Sequence, residues 1–316
     1  MTAPRLSVII PNWNGKHYLG PCLASLRAQT QSNIEIIIVD NASTDGSQRF
    51  VKAGYSDLRL IELPQNLGFT GACNRGMRAA AGEFVALLNN DTEADKNWAA
   101  EVIKALDEKP AAGIVACKMR MHDQRERLHT AGDFFAIDGS AGNRGFGEVD
   151  HGQYDDGDYV FSACGGAAVY RRGLLEEIGF LDDDFFFLLE DVDIAWRAQL
   201  AGYAVWFAPG AVVYHHLSAT GGGKTASYYD GRNGIWLLVK NMPSALLRKY
   251  WRRILTRQAR LFWDALTAWR GEAARARLRG MAAGLLGLRG ALAKRRDIQS
   301  MRRVSDAHID SLLTRK

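Results

Sequence analysis

Cysteine is scarce in this chain of 316 residues, and long apolar segments are lacking. The four cysteines, Cys22, Cys73, Cys117 and Cys164, lie far apart and form no CxxC pair. This spacing excludes a disulfide scaffold and a structural zinc ribbon, and it favours a reducing compartment. No uncharged segment reaches the roughly 18 apolar residues that a membrane-spanning helix needs. The N-terminus runs directly into a strand-like segment, so we expect no signal peptide.

Acidic residues are scarce in the C-terminal quarter of the chain. Residues 244–316 contain 18 basic and 5 acidic side chains, a net charge of +13, whereas residues 1–243 contain 22 and 30, a net charge of −8. The overall content of 47% hydrophobic and 24% charged residues is that of a folded protein and not of a disordered one. The charge distribution predicts two parts with different partners, divided near residue 243.

Short apolar segments alternate with helix-like segments over the first 120 residues. The predicted strands are Leu6–Ile10, Ile34–Val39, Leu58–Leu63 and Phe84–Leu88. The predicted helices are Lys16–Gln29, Ala72–Ala81 and Lys96–Lys109. Continuous apolar strands separated by helices indicate a mostly parallel sheet that is covered on both faces, so we expect an α/β fold.

The middle of the chain is less regular. Residues 132–160, which are rich in Gly and Asp, predict a long excursion with a small hairpin. A helix is predicted at Asp191–Ala201, followed by two short strands at Ala204–Phe207 and Ala211–His215. We find no internal repeat.

Polar residues follow the predicted strands at Asn14, Asp40, Asn66 and Asp91. Ligands of open α/β sheets bind outside the carboxyl ends of the strands, so we expect these side chains to face one crevice. Asn and Asp also serve as turn residues and helix caps, and this alternative stays open for any one of them. Four strand ends in succession favour a binding site.

Two acidic segments and a histidine pair are candidates for chemistry. The triplet Asn89–Asp91 offers one carboxylate, which together with diphosphate oxygens suits Mg²⁺ or Mn²⁺. Glu190 and Asp191 begin a helix, where a carboxylate either acts as a general base or is simply favoured by the helix dipole. Either His215 or His216 can enter the same site as a metal ligand, because adjacent strand residues point to opposite faces.

Glycine-rich loops of the known phosphate-binding types are lacking. The segment Gly221–Thr225 resembles a P-loop, but Ser218 occupies the first glycine position of GxxxxGK[ST]. A glycine loop carrying Lys224 would still be able to close over a diphosphate. No GxGxxG follows the first strand, which disfavours a dinucleotide-binding dehydrogenase.

In their order along the chain, several segments resemble the family 2 glycosyltransferases, in particular the bacterial rhamnosyltransferase-like branch. The matching segments are Ser7–Gly15 (SVIIPNWNG), Ile38–Ser47 (IVDNASTDGS), Asn66–Gly76 (NLGFTGACNRG), Leu88–Asp91 (LNND), Cys164–Ala167 (CGGA), Phe185–Arg197, His215 and Arg232-Asn233. Each motif is loose, but the ordered set is specific, and it covers about residues 5–240.

This resemblance implies a GT-A fold with a nucleotide-binding half, residues 1–120, and an acceptor-binding half, residues 121–243. It implies an inverting, metal-dependent transfer of a sugar to a hydroxyl of a cell-surface glycan or a polyprenyl-linked glycan. The branch implies rhamnose from dTDP-rhamnose, and a UDP-sugar-dependent transferase of the same fold is the alternative. A nucleotidyltransferase and a non-catalytic nucleotide-sugar binder have less support.

The resemblance also implies roles for individual residues. Asp191 matches the catalytic base of the family's ED motif, in which Glu190 precedes it. Asp91 matches the last carboxylate of the DxD metal motif, whose first two positions hold asparagine here, and His215 matches the histidine that completes a site for Mg²⁺ or Mn²⁺. Asp40 would hydrogen-bond the base of the nucleotide. The residues expected to bind the nucleotide sugar are Pro11, Asn14, Asp40, Asn41, Asn66, Gly68, Phe69, Asn74, Asn90, Lys224 and Arg232.

The basic tail, residues 244–316, interleaves arginines with leucines and with Trp251, Trp263 and Trp269. Cationic faces beside Trp and Leu are typical of helices in a membrane interface, so we expect a cytoplasmic protein held peripherally on the inner face of the cell membrane by anionic lipids. Alternatively, the tail packs on the catalytic domain or on a second subunit of a homo-oligomer. Nucleic acid is not an expected partner, because no recognition motif accompanies the charge.

Overall fold

A computed structural model describes residues 3–217 and 223–315 of the chain. The strands are β1 (Leu6–Asn12), β2 (Ile34–Asp40), β3 (Arg59–Glu62), β4 (Phe84–Leu88), β5 (Thr92–Ala94), β6 (Ala112–Met121), β7 (Leu128–Thr130), β8 (Asp133–Phe135), β9 (Ala141–Asn143), β10 (Asp158–Val160), β11 (Ala167–Arg171) and β12 (Ala204–His215). The helices are α1 (Lys16–Arg27), α2 (Ser47–Gly54), α3 (Gly68–Ala79), α4 (Trp98–Glu108), α5 (Arg172–Ile178), α6 (Glu190–Leu200), α7 (Gly223–Asn241), α8 (Ser244–Thr267), α9 (Glu272–Leu286), α10 (Leu288–Ser300) and α11 (Asp306–Leu312). A short 3₁₀ helix spans Asp183–Phe185.

The central sheet has the strand order β10-β12-β6-β11-β4-β1-β2-β3, with β5 paired to β12 and β7 to β6. Strand β1 runs parallel to β2 and β4, and β2 runs parallel to β3. Strand β11 is inserted antiparallel between β4 and β6. The α/β prediction is therefore confirmed, and the carboxyl ends of β1, β2 and β4 meet at one edge of the sheet.

Alternate side chains of β1 explain why the middle of this strand, Val8–Ile10, is apolar. Val8 and Ile10 face one hydrophobic cluster together with α1 and α4, whereas Ile9 faces a second cluster with α3 and α6. Because successive strand residues point to opposite faces, a strand covered on both sides has no position for a polar side chain in its middle. The first polar residues consequently appear where the strands end.

The middle of the chain confirms one expectation and corrects another. Strands β8 and β9 form the antiparallel hairpin expected within residues 132–160. The two strands predicted at Ala204–Phe207 and Ala211–His215 are one strand, β12, and that prediction is wrong. Its pairing with β6 shifts register between Ala208 and Val212. Pro209 and Gly210 lie at this irregularity. Proline has no N–H to donate to the neighbouring strand, and the shift in register lets the strand continue past it.

Three of the C-terminal helices, α8, α10 and α11, share a hydrophobic cluster with the body. Leu246, Ile298 and Ile309 of these helices are buried in the same cluster as Phe135 and Trp196. The chain end also joins the body, because Thr314 N–H donates to the carbonyl of Phe135 at 2.8 Å. One face of the tail thus packs on the body of the protein, as the alternative to membrane binding expected. The domain boundary near residue 243 stays a prediction. Among the described residues, no helix is both long and apolar enough to cross a bilayer.

Candidate active site

Asn12 joins three strand ends at the carboxyl edge of the sheet. This side chain closes β1 and is buried next to Pro11. Its Nδ2 donates to Asp40 Oδ2 at 2.9 Å, and its Oδ1 accepts from Asn90 Nδ2 at 2.7 Å. Sequence analysis placed Asn12 in a matching segment without giving it a role. The contacts show that it fixes the ends of β1, β2 and β4 relative to one another.

The loop after β2 folds back over the loop after β1. Asp40 Oδ1 accepts from the backbone N–H of Ser43 at 2.9 Å and from Gln48 Nε2 at 2.8 Å. Asn14 is exposed and has a φ of 53°, and its Oδ1 accepts from the N–H of Thr44 at 2.8 Å. Asp40 is therefore buried as an acceptor for three donors, whereas Asn14 lies at the surface of the crevice.

Asn41 connects the end of β2 to the start of α3. Its Nδ2 donates to Asn66 Oδ1 at 2.9 Å and to the carbonyl of Gly68 at 3.0 Å, and its Oδ1 accepts from the N–H of Leu67 at 2.8 Å. Gly68 has a φ of +77°, and the adjacent Phe69 packs against the cluster beneath α3. The predicted residues at positions 41, 66 and 68 thus form one hydrogen-bonded unit.

Gly68 is the closest point of approach between α3 and the loop before α6. A Cβ atom at this position would lie 2.5 Å from the Phe186 ring and 2.6 Å from the Phe186 carbonyl oxygen. Gly68→Ala should therefore lower the free energy of unfolding by about 1–3 kcal/mol, measured in urea, because of overpacking and the left-handed backbone. Gly234→Ala is the matched control, since Gly234 lies inside α7 with open space around it and should be neutral or stabilising. Equal losses in the two variants would contradict the contact.

Two of the residues predicted to bind the nucleotide sugar, Asn74 and Arg232, contact the loop at 181–189. Asn74 is buried, and its Nδ2 donates to the carbonyl of Leu181 at 2.8 Å and to Asp183 Oδ1 at 2.7 Å. Arg232 NH2 donates to the carbonyl of Phe185 at 2.9 Å. Lys224 is exposed in the first turn of α7, while Ser218, Gly221 and Gly222 lie outside the described residues. The contacts of Asn74 and Arg232 are those of residues that hold this loop.

The loop contains three non-glycine residues with positive φ. Phe186, Leu188 and Leu189 have φ values of 62°, 68° and 67°. Such conformations cost free energy and persist where surrounding contacts over-determine them, which is common at functional sites. Asn233 supplies these contacts, because its Nδ2 lies within 3.1 Å of the carbonyls of Phe185, Phe187 and Leu188. The restrained loop fixes the start of α6.

Asp91 and His215 face each other next to the end of β4. Asp91 is buried, and its Oδ1 has no hydrogen-bond donor among the described residues. His215 Nε2 lies 3.3 Å from this oxygen without the alignment of a hydrogen bond. On the other side of the ring, His215 Nδ1 lies 3.1 Å from His129 Nδ1. Burial, together with the nearby charge of His215, lowers the pKa of His129 to about 3.

This pair fits a divalent cation. An orphaned carboxylate oxygen and a ring nitrogen at one point are a usual ligand pair for Mn²⁺, and diphosphate oxygens complete such sites. If His215 Nε2 presents its lone pair, Nδ1 carries the proton and donates to neutral His129, which fixes the ring orientation. Of the two histidines that sequence analysis left open, His215 is the one that faces Asp91.

A second cluster, Glu93, His122 and His216, has ligand atoms within 4.8 Å of one another. The rings of His122 and His216 are stacked at 3.5 Å, so their in-plane lone pairs run nearly parallel and do not converge on one ion. Arg125 NH2 already lies 2.8 Å from Glu93. This cluster does not fit a metal ion as arranged.

Asp191 is the carboxylate at the start of α6 that remains partly exposed. Its Oδ2 accepts from the N–H of Gly165 at 2.8 Å, and its Oδ1 accepts from the N–H of Val192 at 2.8 Å. Burial raises the pKa of Asp191, and these N–H groups counteract the shift. Burial and the charge of Asp191 raise the pKa of Glu190 well above its usual range. Glu190 Oε2 is buried without a partner among the described residues, as a protonated acid can be. Asp191 is therefore the better candidate for a base.

Two adjacent glycines connect the base to the proposed metal ligands. The N–H of Gly165 binds Asp191, while the carbonyl of Gly166 accepts from the N–H of Asn89 at 3.0 Å. Asn89 lies two residues before Asp91. Backbone hydrogen bonds of the segment 164–166 thus link Asp191, the candidate base, to the strand end that carries Asp91.

Solved structures of GT-A glycosyltransferases share this fold. The S. aureus TarS 1–349 structure in complex with UDP aligns with a TM-score of 0.57, 18% identity, and coverage of 94% of this chain and 90% of that chain. A mannosyltransferase from Pyrobaculum calidifontis in complex with GDP-Man and Mn²⁺ aligns with a TM-score of 0.56, 19% identity, and coverage of 99% and 86%.

The chain belongs to glycosyl transferase family 2, because the model of that family matches residues 7–191. An N-acetylglucosaminyl-diphospho-decaprenol L-rhamnosyltransferase of Mycobacterium tuberculosis is 26% identical over 71% of this chain and 80% of its own length. A poly-beta-1,6-N-acetyl-D-glucosamine synthase of Staphylococcus epidermidis is 23% identical over 81% and 59%. Other curated relatives are much longer: the aligned part spans 25% of protein y4gI of Sinorhizobium fredii and 18% of the O-antigen biosynthesis protein RfbC of Myxococcus xanthus. The predicted family and the GT-A fold are confirmed.

Proposed function

We propose that this chain is an inverting, metal-dependent glycosyltransferase that moves rhamnose from dTDP-rhamnose to a hydroxyl of a cell-surface or polyprenyl-linked glycan. The observation that carries the proposal is the link through Gly165 and Gly166, which brings Asp191 to the same sheet edge as Asp91 and His215. An enzyme that transfers a sugar from a nucleoside diphosphate needs a base for the acceptor and charge compensation for the leaving group. Asp191 can supply the first, and Asp91 with His215 can hold an ion that supplies the second.

The chemistry requires one displacement. Asp191 accepts the proton of the acceptor hydroxyl as its oxygen attacks the anomeric carbon, and the nucleoside diphosphate leaves from the opposite face. One displacement inverts the configuration, so no nucleophile of the enzyme is needed. A Mg²⁺ or Mn²⁺ ion held by Asp91 and His215 would offset the charge that develops on the leaving diphosphate. Burial and the charge of Asp191 raise the pKa of Glu190 well above its usual range, which disfavours a second negative charge next to Asp191.

The donor crevice lies along the ends of β1, β2 and β4. Donor binding is proposed for nine residues, some exposed and some buried at the strand ends. These are Pro11, Asn14, Asp40, Asn41, Asn66, Gly68, Phe69, Asn90 and Lys224. Asn74 and Arg232 are proposed to act by holding the loop at 181–189 over the donor. Trp13, which is 52% exposed between Asn12 and Asn14, adds an aromatic face on which a base can stack.

The choice of nucleotide-sugar donor rests on the similar proteins. The relative from M. tuberculosis carries rhamnosyl transfer in its name, which supports rhamnose and a polyprenyl-diphosphate-linked acceptor. The TarS neighbour is complexed with UDP and the P. calidifontis neighbour with GDP-Man, which keeps a UDP-sugar donor as the second candidate.

A thermal-shift panel of dTDP-rhamnose, UDP-sugars and GDP-mannose, each with Mg²⁺ or Mn²⁺, tests the donor. A ligand that binds only the native state adds RT ln(1 + [L]/Kd) to its stability, so the correct donor raises the melting temperature most. We expect the largest rise with dTDP-rhamnose. A larger rise with a UDP-sugar selects the second candidate, and no rise with any nucleotide sugar contradicts the function.

We further propose that residues 1–243 are the catalytic part and that α8 holds it on the cytoplasmic face of a membrane. Leu246, Tyr250 and Ile254 form the buried face of α8. A second apolar stripe on the same helix, spaced as one helix face, is exposed. Its members are Trp251 (51% exposed), Leu255 (57%), Phe262 (47%) and Leu266 (40%). Arg252, Arg253 and Arg260 are exposed on the same helix. An exposed aromatic stripe flanked by arginines suits anionic lipid headgroups.

Replacing Trp251 and Phe262 together with serine should weaken binding to anionic vesicles more than tenfold, because each buried aromatic contributes about 1.5–3 kcal/mol. Co-sedimentation with phosphatidylglycerol vesicles measures the effect. Tyr159→Ser is the control, since Tyr159 is an equally exposed aromatic on β10, outside the tail. Higher salt should weaken wild-type binding without abolishing it. Wild-type protein that stays off the vesicles at low salt would show that this stripe has another partner, for example a second copy of the chain.

A further inference from the structure

A second buried carboxyl group lies next to Asp191. A carboxylate oxygen of Asp133, a carboxylate oxygen of Asp191 and Cys164 Sγ all lie within 4.8 Å of one another. Asp133 begins β8, in the hairpin of the acceptor half, and is 6% exposed. Sequence analysis gave this residue no role, because nothing in a single Asp within a Gly- and Asp-rich segment distinguishes it from a turn residue.

The fold builds this position with backbone and side-chain contacts. Asp133 N–H donates to the carbonyl of Ser162 at 3.0 Å, and Ser162 N–H donates back at 3.2 Å. This bridge lies three residues before Gly165, whose N–H binds Asp191. Thr130 Oγ1 and Asn143 Nδ2 both donate to Asp133 Oδ1, at 2.6 and 2.9 Å. The carboxyl group is thereby oriented beside the base.

Among the charged neighbours of Asp133, Asp191 has the largest effect on its pKa. Burial and the negative charge of Asp191 raise the pKa of Asp133 to about 7, although Thr130, Asn143 and the charge of Arg144 act in the opposite direction. Burying a carboxyl group costs free energy unless hydrogen bonds compensate for it. Titratable groups whose pKa is strongly shifted by burial and by a specific charged neighbour cluster at functional sites.

We propose that Asp133 binds the acceptor sugar through the hydroxyl next to the one that reacts, while Asp191 binds the reacting hydroxyl. The inference rests on the proposed function. Hydroxyl groups hydrogen-bond carboxyl oxygens at about 2.5–3.0 Å, so neighbouring hydroxyls of one ring can span a gap of less than 4.8 Å between the two acids. Asp133 thus selects acceptors with a free vicinal diol.

Each acid has a separate role in this arrangement. The proton of the reacting hydroxyl goes to Asp191, and the new glycosidic bond forms at that oxygen. Asp133 transfers no proton and holds the ring so that only one hydroxyl reaches Asp191. The predicted effect of losing Asp133 is therefore on the acceptor and not on the donor.

Asp133→Leu and Asp133→Asn test the inference on octyl glycosides, including analogues that lack the hydroxyl next to the reacting one. Loss of a hydrogen bond to a buried acid costs about 1.5–3 kcal/mol, so D133L should raise the acceptor KM roughly 10–150-fold. D133N should raise it much less, because an amide resembles the neutral acid. On the deoxy analogue, the wild type and D133L should have similar acceptor KM values. Asp138→Asn is the matched control, since Asp138 lies next to the same hairpin strands and, within the described part of the chain, accepts only from Ser140.

Slow hydrolysis of the nucleotide sugar, with water as the acceptor, separates this inference from the proposed function. At about pH 6, hydrolysis and binding of the nucleoside diphosphate should stay within about twofold of wild type in both variants. The wild-type hydrolysis rate should inflect near pH 7, where Asp133 ionises beside the base, and the D133N rate should not. Identical pH profiles, an unchanged acceptor KM in D133L, or parallel losses of hydrolysis and donor binding would overturn the role of Asp133. A wild-type protein that binds no nucleotide would overturn the proposed function instead.

Discussion

Asp191→Asn is expected to lower turnover by roughly 10²–10⁴ while leaving donor binding nearly intact. The amide keeps the shape of the carboxyl group and can still accept from the N–H of Gly165, but it cannot take a proton from the acceptor. Burial raises the pKa of Asp191, so the wild-type rate should fall as the pH drops through a value above the usual range of an aspartate. Initial rates at saturating donor measure the turnover. Calorimetric titration of the nucleoside diphosphate measures the binding of the donor side.

Glu190→Gln is the companion to this variant. Because the pKa of Glu190 lies well above its usual range, Gln replaces a neutral acid with a neutral amide and should cost much less than Asp191→Asn. Near-normal turnover in Asp191→Asn together with a collapse in Glu190→Gln would transfer the role of the base to Glu190.

Asp91→Ala is expected to weaken nucleoside diphosphate binding at least roughly 10–100-fold when Mg²⁺ or Mn²⁺ is present, since even the partners behind metal ligands carry effects of that size. With a chelator, the affinity of the wild type for the nucleoside diphosphate should fall to that of the variant, because the carboxylate acts through the ion. His215→Ala should act in the same direction but less strongly. Calorimetric titration with and without metal gives the comparison directly.

Asp123→Ala is the matched control for the metal site. Asp123 is a nearby carboxylate on the strand-end loop, with a side chain 87% exposed, and it contacts His122 without contacting Asp91. Its removal lowers the local negative charge by the same amount and should leave metal-dependent binding in place. Chelator-resistant binding and turnover in the wild type would contradict the assignment of Asp91 and His215.

The strand ends could be predicted because their signal is local. The run from Val8 to Ile10 is apolar since both faces of β1 are covered, and the first polar residues after it mark the edge where ligands bind. The same argument correctly located the ends of β2 and β4. The pattern could not show that Asn12 hydrogen-bonds both Asp40 and Asn90, because these contacts depend on strand order.

The supporting residues of the site could not be predicted, because they come from distant parts of the chain. His129 reaches His215 across 86 positions, and Asp133 approaches Asp191 only because β8 bridges to Ser162. The positive φ at Phe186, Leu188 and Leu189 was equally hidden, since no glycine marks it. In α8 the periodicity indicated an amphipathic helix, but two apolar stripes were present and only packing determines which one is buried.

Transfer from a donor labelled in both the sugar and the nucleotide tests the central claim most directly. The full chain is incubated with Mn²⁺ and an acceptor glycoside, and the anomeric configuration of the product is determined by NMR. We expect the sugar label alone in the product, with inverted configuration, free nucleoside diphosphate in equal amount, and at least roughly 100-fold slower formation of both products with Asp191→Asn. Nucleotide label in the product, retention of configuration, or full activity of Asp191→Asn would contradict the account.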